Sequence, residues 1–235
     1  MSFSDPVRVR AQHATETNLA ARKSIYGETS GADARLVLFD AIAAASPRDV
    51  LELGCGEGEL AAYVAERLGA TIVAVDQSER MVELARARGV DARVGDAQEL
   101  SFADASFDVV VAAWMLYHVA DIGRALAEIR RVLRPGGRLV AVTNYADHLH
   151  EMFALVGITH WPLPFSGENG EEILGRFFPR VERMPADGTV TLRDADAIRR
   201  YLGSMMRFSA YVDDVPELEE PLVARRRPVV FVATT

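Results

Sequence analysis

The sequence predicts an α/β fold: a mostly parallel, doubly wound sheet with helices on both faces. Three observations carry that prediction. Short apolar runs alternate with amphipathic segments from Val50 onward, the order in which βαβ units are written. One run, FDVVVAAW at 107–114, is apolar on both faces and so belongs in the middle of a sheet. Three glycines, at 54, 56 and 58, fall between the first strand pattern and the first helix pattern, where the backbone can approach a ligand closely.

Taken in order, DVLELG (49–54) reads as the first strand. GELAAYVAERLG (58–69) sets Leu60, Val64 and Leu68 on one helix face and is closed by Gly69. TIVAVD (71–76) is the second strand, and SERMVELARARG (78–89) the second helix, with Ser78 as its cap. DARVGD (91–96) is a short third strand and 107–114 the fourth. DIGRALAEIRRVLRPGG (121–137) is a helix that starts near Asp121 and stops at proline and glycine; RLVAVTN (138–144) is the fifth strand. Beyond it the pattern loosens to a helix at 170–178, a β-like pair around 180–193, a helix at 194–204 and a last strand, PVVFVATT (228–235). Upstream, 12–26 and 32–45 read as two helices outside the sheet. The expectation is one domain: N-terminal cap helices at 1–46, a ligand-binding core at 47–145, a substrate region at 146–227 and a closing strand at 228–235.

Composition narrows the function. With 235 residues, 49% of them hydrophobic, the chain can bury one sizeable core. The N-terminus MSFSDPVRVR carries charge where a signal peptide is apolar, and the longest apolar run, 109–117, falls far short of the roughly 20 residues of a membrane span. A soluble, cytoplasmic protein without membrane contact is expected, either monomer or homodimer. The single cysteine, Cys55, supports neither an internal disulfide nor a thiolate metal cluster. A formal charge of −8 disfavours nucleic acid as a partner, and the arginine clusters at 130–134 and 225–227 read as solvated faces.

The glycine spacing separates two nucleotide-like ligands. A dinucleotide-binding turn has the form G-x-G-x-x-G, whose third glycine would stand at position 59, and position 59 is glutamate. The observed form is G-x-G-x-G, at Gly54, Gly56 and Gly58, preceded by Glu52. Acids beside the loop would repel a pyrophosphate but suit a ligand with a sulfonium and an ammonium group, as in S-adenosylmethionine (SAM). Asp76 ends the second strand, where a carboxylate can accept both hydrogen bonds of a ribose diol, and Asp96 ends the third, placed for an adenine amino group. Glu52 is expected to act on the ammonium, and Glu57 and Glu59 to be solvated or helix-start acids.

On these residues the chain resembles the class I SAM-dependent methyltransferases, of the "methyltransferase type 11"-like small-molecule group. The resemblance rests on VLELGCGEG (50–58), VAVDQSERMVELA (73–85), VGDAQELSF (94–102), FDVVVAAWMLYHVAD (107–121) and RVLRPGGRLVAVT (131–143). It implies a Rossmann-like, seven-stranded sheet whose last strand is antiparallel, with N-terminal lid helices and an inserted substrate region. By similarity Gly54, Cys55, Gly56 and Gly58 line the methionine moiety. Asp76 and Gln77 meet the ribose and adenine edge, Asp96 and Ala97 the adenine, and Ala113 or Trp114 sits beside the sulfonium. The segment at 12–27 looks like the lid helix over SAM, with Arg22, Lys23 or Tyr26 at the methionine carboxylate or the sulfonium. The Asn/Asp-Pro-Pro-aromatic loop of amino-base methyltransferases is replaced by AAWMLYH, which argues against that chemistry.

Methyl transfer is an in-line displacement, so alignment can supply much of the rate, and a base is needed only when the acceptor must lose a proton. Candidate catalytic groups are His118 and Tyr117 after the fourth strand and His148 after the fifth; His148 and Glu151 are expected to share a helix face. HLHE by itself is too few ligands for a metal site. Trp161, Phe165, Met205, Met206 and Phe208 are candidate pocket lining. The product of the expected reaction is S-adenosylhomocysteine. The alternatives are an RNA or tRNA methyltransferase, an NAD-dependent oxidoreductase and a non-catalytic SAM-binding protein.

Overall fold

The computed structural model describes residues 16–235; positions 12–15 of the first expected helix lie outside the described residues. The chain begins with α1 (Glu16–Ser24), a 3₁₀ turn (Ile25–Gly27), β1 (Thr29–Gly31) and α2 (Ala34–Ala43). The alternating core follows: β2 (Asp49–Leu53), α3 (Glu59–Leu68), β3 (Thr71–Asp76), α4 (Glu79–Ala87), β4 (Asp91–Val94) and β5 (Phe107–Ala113). It continues through α5 (Ile122–Val132) and β6 (Leu133–Asn144). The last third holds α6 (His150–Ala154), α7 (Gly170–Gly175), β7 (Arg180–Pro185), β8 (Gly188–Leu192), α8 (Ala195–Gly203), β9 (Leu222–Arg226) and β10 (Pro228–Thr234).

Among the described residues these strands form two sheets. The larger has seven strands in the order β4-β3-β2-β5-β6-β10-β7; β2 to β6 are parallel, and β10 runs antiparallel to both β6 and β7. Strand alternation explains its two cores. Leu51, Leu53, Val110, Ala112, Leu139 and Ala141 face α5 and α7, packing with Leu126, Ile129 and Leu174. Val50, Val109, Val111, Val140 and Val142 face the other way, onto Leu38, Ile42, Val64 and Val82 of α2, α3 and α4. The expected final antiparallel strand is β10, placed inside the sheet rather than at its rim.

One expectation is corrected and another is refined. The helix read over 121–137 ends at Val132, because the residue before Pro135 is disfavoured in helix and Leu133 already pairs with Phe107 as strand. The β-like pair expected at 180–193 is present as two strands, but they do not pair with each other: β7 joins the large sheet, whereas β8 lies between β1 and β9 in a separate antiparallel sheet. A Cβ on Gly188 would collide with the Ser30 carbonyl oxygen, so only glycine lets β1 approach β8 so closely.

That small sheet, α6 and α8 enclose a third core of Phe153, Trp161, Val190, Ile198, Leu202 and Phe208, joined by Ile25 from the N-terminal turn. Trp161 and Phe208 therefore hold the cap together, with Phe153 and Trp161 ring centroids 3.7 Å apart. Phe165 belongs to the sheet core against Phe231, and Met206 is exposed; neither fits the expected role of pocket lining. No helix among the described residues is long and apolar enough to cross a membrane.

Candidate active site

The direction of sheet growth reverses between β2 and β5, with β3 and β4 to one side and β6, β10 and β7 to the other. Such a switch point opens a crevice at the carboxyl ends of the strands. Two segments lead into it, the loop 54–58 from β2 and the turn 114–118 from β5.

Gly54, Gly56 and Gly58 all have left-handed φ, at 66°, 53° and 75°. A Cβ on Gly54 would lie 2.8 Å from Met115 Cβ, and one on Gly58 2.8 Å from Ala85 Cβ, so the loop is pressed between the β5 turn and α4. It is also sewn to β3. The Gly54 and Cys55 N–H groups donate to the Val75 carbonyl at 2.8 and 3.2 Å, and the Gly56 N–H donates to Asp76 Oδ2 at 2.9 Å. Ser78 N–H reaches Asp76 Oδ1 at 2.9 Å. Burial raises the Asp76 pKa, and the amides of Ser78, Gly56 and Gln77 partly offset that rise. Each carboxylate oxygen still has a lone pair for a further donor.

Glu52 shares the sheet face of Val50 and is only 4% exposed. The residue that caps α3, Gly58, offers no side chain, and the Ala61 amide in the first turn of that helix donates to the Glu52 carboxylate instead. Oε2 has no partner. Burial, with the nearby Asp76 charge adding to it, pushes the carboxyl up to about 8. The other two loop acids are neutralised: Lys23 lies 2.6 Å from Glu59 and 3.7 Å from Glu57, and Arg88 lies 3.4 Å from Glu57. Glu59 is the first residue of α3 as expected, but Glu57 is a covered, paired acid and not a solvated one.

The remaining cofactor candidates divide by surroundings. Asp96 accepts from the Gln98 backbone N–H at 2.8 Å and from its side-chain amide at 3.0 and 3.1 Å, while Gln98 Oε1 accepts from Asp121 N–H at the start of α5. Ala97 is buried in the sheet core, and Gln77 is half-buried just past β3. Cys55 is buried, and burial with the charges of Glu52 and Asp76 drives its thiol pKa up, away from thiolate chemistry. Ala113 ends β5 opposite Val142. Trp114 takes φ 52°, a conformation that costs a non-glycine residue about 1 kcal/mol. It is held there by its N–H on the Val142 carbonyl and its indole N–H on Asn144 Oδ1, at 2.9 and 3.2 Å.

Tyr117 and His118 follow in a 3₁₀ turn, their rings 4.5 Å apart, and Tyr117 packs against both the sheet core and the cap core. Burial raises the Tyr117 pKa, and the Arg22 charge lowers it. His148 is 5% exposed and lies outside α6, because Leu149, at φ 59°, turns the chain before the helix begins at His150. It therefore does not share a helix face with Glu151, which pairs with Arg225 at 2.6 Å. His148 Nδ1 accepts from the Arg227 backbone N–H at 2.9 Å, which places the ring proton on Nε2, 3.1 Å from the Tyr26 hydroxyl. Burial, reinforced by Arg226, pushes the imidazole down to about 3, so it is neutral with both nitrogens engaged.

Above the loop lies α1. Leu19 Cδ2 is 3.7 Å from where a Gly56 Cβ would stand, and Lys23 binds the loop acids from the same helix. Arg22 donates through Nε to the Asn18 carbonyl, and its Nη2 is buried without an acceptor. The sequence reading missed Tyr201. Its only signal is a place on the apolar face of α8, where a tyrosine reads as core.

A family described as a methyltransferase domain matches residues 51–141. The demethylmenaquinone methyltransferase of Thermus thermophilus is 38% identical over 153 residues, covering 60% of this chain and 69% of that protein. The chain belongs to the methyltransferase-domain family. The methyltransferase GfsG of Streptomyces halstedii is 38% identical over 110 residues, 43% of this chain and 40% of its own length. The first relatives in this methyltransferase family are spanned over only 32% and 40% of their length. Among solved structures, a SAM-dependent methyltransferase of Thermotoga maritima superposes with a TM-score of 0.55 at 26% identity, over 86% of this chain and 89% of its own. The matched segment 51–141 is the methyltransferase core from β2 into β6; α1, β1, α8 and β9 lie outside it.

Proposed function

We propose that the chain is a SAM-dependent methyltransferase that acts on O, N or C of a small-molecule acceptor. The observation that carries this reading is the half-buried glycine loop at the switch point, held by Asp76 and backed by a Glu52 oxygen without a partner. The donor set fits the cofactor. Glu52 Oε2 can accept from an ammonium and the remaining lone pairs of Asp76 from a ribose diol, and the loop of Gly54, Cys55, Gly56 and Gly58 is assigned to the methionine chain. We assign Gln77, Asp96 and Ala97 to the adenine end, and Ala113 and Trp114 to the sulfur. Lys23 and Arg88 matter here, because by neutralising Glu57 and Glu59 they leave Glu52 as the loop acid available to a cation.

When bound, the cofactor would supply an electrophilic methyl group on a cationic sulfur. The chain contributes alignment and exclusion of water. α1 covers the loop, and Tyr117 closes the gap between sheet and cap. Of the two histidine candidates, His118 on the β5 turn is the one we assign to accept a proton where the acceptor carries one. His148, with Nδ1 taken by a backbone donor, is assigned to positioning Tyr26. The segment 146–227 forms the acceptor pocket, and the net charge of −8 argues for a small molecule over RNA.

Calorimetry with S-adenosylhomocysteine tests the reading. Wild-type protein binds it, and Asp76→Ala weakens binding at least about tenfold, a loss on the order of 1.5–3 kcal/mol for a hydrogen-bonded charged group. Unchanged affinity in the variant would remove Asp76 from the ribose site, and no binding by wild type would remove the cofactor itself.

A further inference from the structure

A second polar cluster lies beneath the lid, assembled from five segments distant in sequence. Arg22 comes from α1, Tyr26 from the turn after it, Tyr117 from the turn after β5, His148 from the loop after β6 and Tyr201 from α8. Its hydrogen bonds have a fixed direction. The Arg227 backbone N–H can only donate, and it takes the lone pair of His148 Nδ1. The Nε2 proton is then given to the Tyr26 oxygen, 3.1 Å away. The Tyr26 proton is then left to point toward the neighbouring Tyr201 hydroxyl, which makes the Tyr201 O–H the last donor of the series.

Beside that donor is Arg22, whose charge acts on both Tyr117 and Tyr201 and whose Nη2 is buried without an acceptor. Arg226 adds a second buried positive charge next to Tyr26 and His148, while its own N–H groups hold the Thr189, Ser30 and Ala32 carbonyls. Asp147, the carboxylate nearby, pairs through Oδ2 with Arg227 at 2.6 Å, and its Oδ1 is buried without a donor. At Arg22 and Tyr201 the cluster thus presents donors and positive charge, and a buried donor without an acceptor is unfavourable. A ligand that brings lone pairs and negative charge relieves it.

We propose that Arg22 and Tyr201 form a subsite for a carboxylate on the methyl acceptor, with Tyr26 and His148 as positioning residues that aim the Tyr201 hydroxyl. This rests on the methyltransferase reading and adds a substrate class to it: the acceptor is an acid. The direction of the series is stable near neutral pH. Burial keeps His148 unprotonated and raises the pKa of all three tyrosines, so each remains a hydroxyl. Tyr117 ties the subsite to the β5 turn, so a carboxylate held there lies on the cap side of the crevice.

The test is calorimetric titration of acetate, benzoate and phenylacetate, each against its amide, into protein loaded with S-adenosylhomocysteine. At least one acid binds about tenfold more tightly than its amide, as expected for a charge-assisted contact. Arg22→Met and Tyr201→Phe each abolish that preference, and Arg22→Lys retains part of it. Tyr26→Phe leaves both donors in place but breaks the series; it weakens the acid roughly threefold or more and leaves the amide unchanged. Affinity for S-adenosylhomocysteine stays within about twofold throughout, and melting temperatures confirm that each variant is folded.

The proposal is overturned if no acid is preferred over its amide. It is also overturned if Arg22→Met weakens S-adenosylhomocysteine about tenfold while sparing 5′-methylthioadenosine, which lacks the amino-acid carboxylate; Arg22 then serves the cofactor. Failure of the wild type to bind S-adenosylhomocysteine is a separate outcome that removes the methyltransferase reading on which the subsite rests.

Discussion

Glu52 makes the crevice sensitive to pH. Its carboxyl is held at about 8 by burial, against roughly 4.3 in an unfolded chain. The folded state binds this proton more tightly, so the stability it confers is complete below the unfolded value and is lost as pH rises through the folded one. Glu52→Gln keeps an acceptor for the Ala61 amide and has nothing to titrate, so the fall in melting temperature between about pH 5 and pH 8 should flatten in the variant. Equal slopes would acquit Glu52. An ammonium at Oε2 favours the ionised form, so binding of S-adenosylhomocysteine should expel a proton. Affinity should then rise from about pH 6 to pH 8, with a heat that depends on the buffer, and Glu52→Gln should show neither effect. The acid at 52 was legible from its place before the glycines. Its role as the cap of α3 was not, because that follows from what Gly58 lacks and from an amide nine residues on.

The glycine loop and α4 are a fitted pair. Gly58→Ala forces a side chain into left-handed φ and against Ala85, at an expected cost of about 2 kcal/mol or more in urea unfolding. Gly69→Ala is the control: φ is 64° there too, but nothing lies within 4 Å, so it should cost only about 1 kcal/mol. Equal losses would mean that the contact with α4 contributes nothing. Helices α3, α4 and α5 were legible because their signals are local, with apolar faces four residues apart and caps at Ser78 and Asp121. The segment 180–192 was not. Its alternation says strand, but β7 is claimed by β10 and β8 by β1 and β9, partners far along the chain that no local pattern names.

The molecule is a sheet with a cover, and the cover is fastened lightly over the glycine loop. Lys23, the only lysine in the chain, fastens α1 to Glu59 and Glu57 through partly exposed pairs, each worth about 1 kcal/mol or less. Lys23→Ala should therefore speed release of S-adenosylhomocysteine a few-fold and raise amide exchange in 16–27 while leaving the sheet protected. Unchanged release would mean that Leu19 and the cap core hold α1 alone. The lid helix was expected from sequence, but its junction with the rest was hidden: Ser30 and Thr189, hydrogen-bonded side by side, are 159 residues apart. A ribosome delivers the chain from its amino end. β2 to β6 can assemble once residue 144 has emerged, whereas β1 must wait for β8 and β9. Long-range pairing of this kind is slow and comes late. During its synthesis the protein therefore carries a formed glycine loop under an open roof, and the roof closes only when β10 also completes the far side of the sheet.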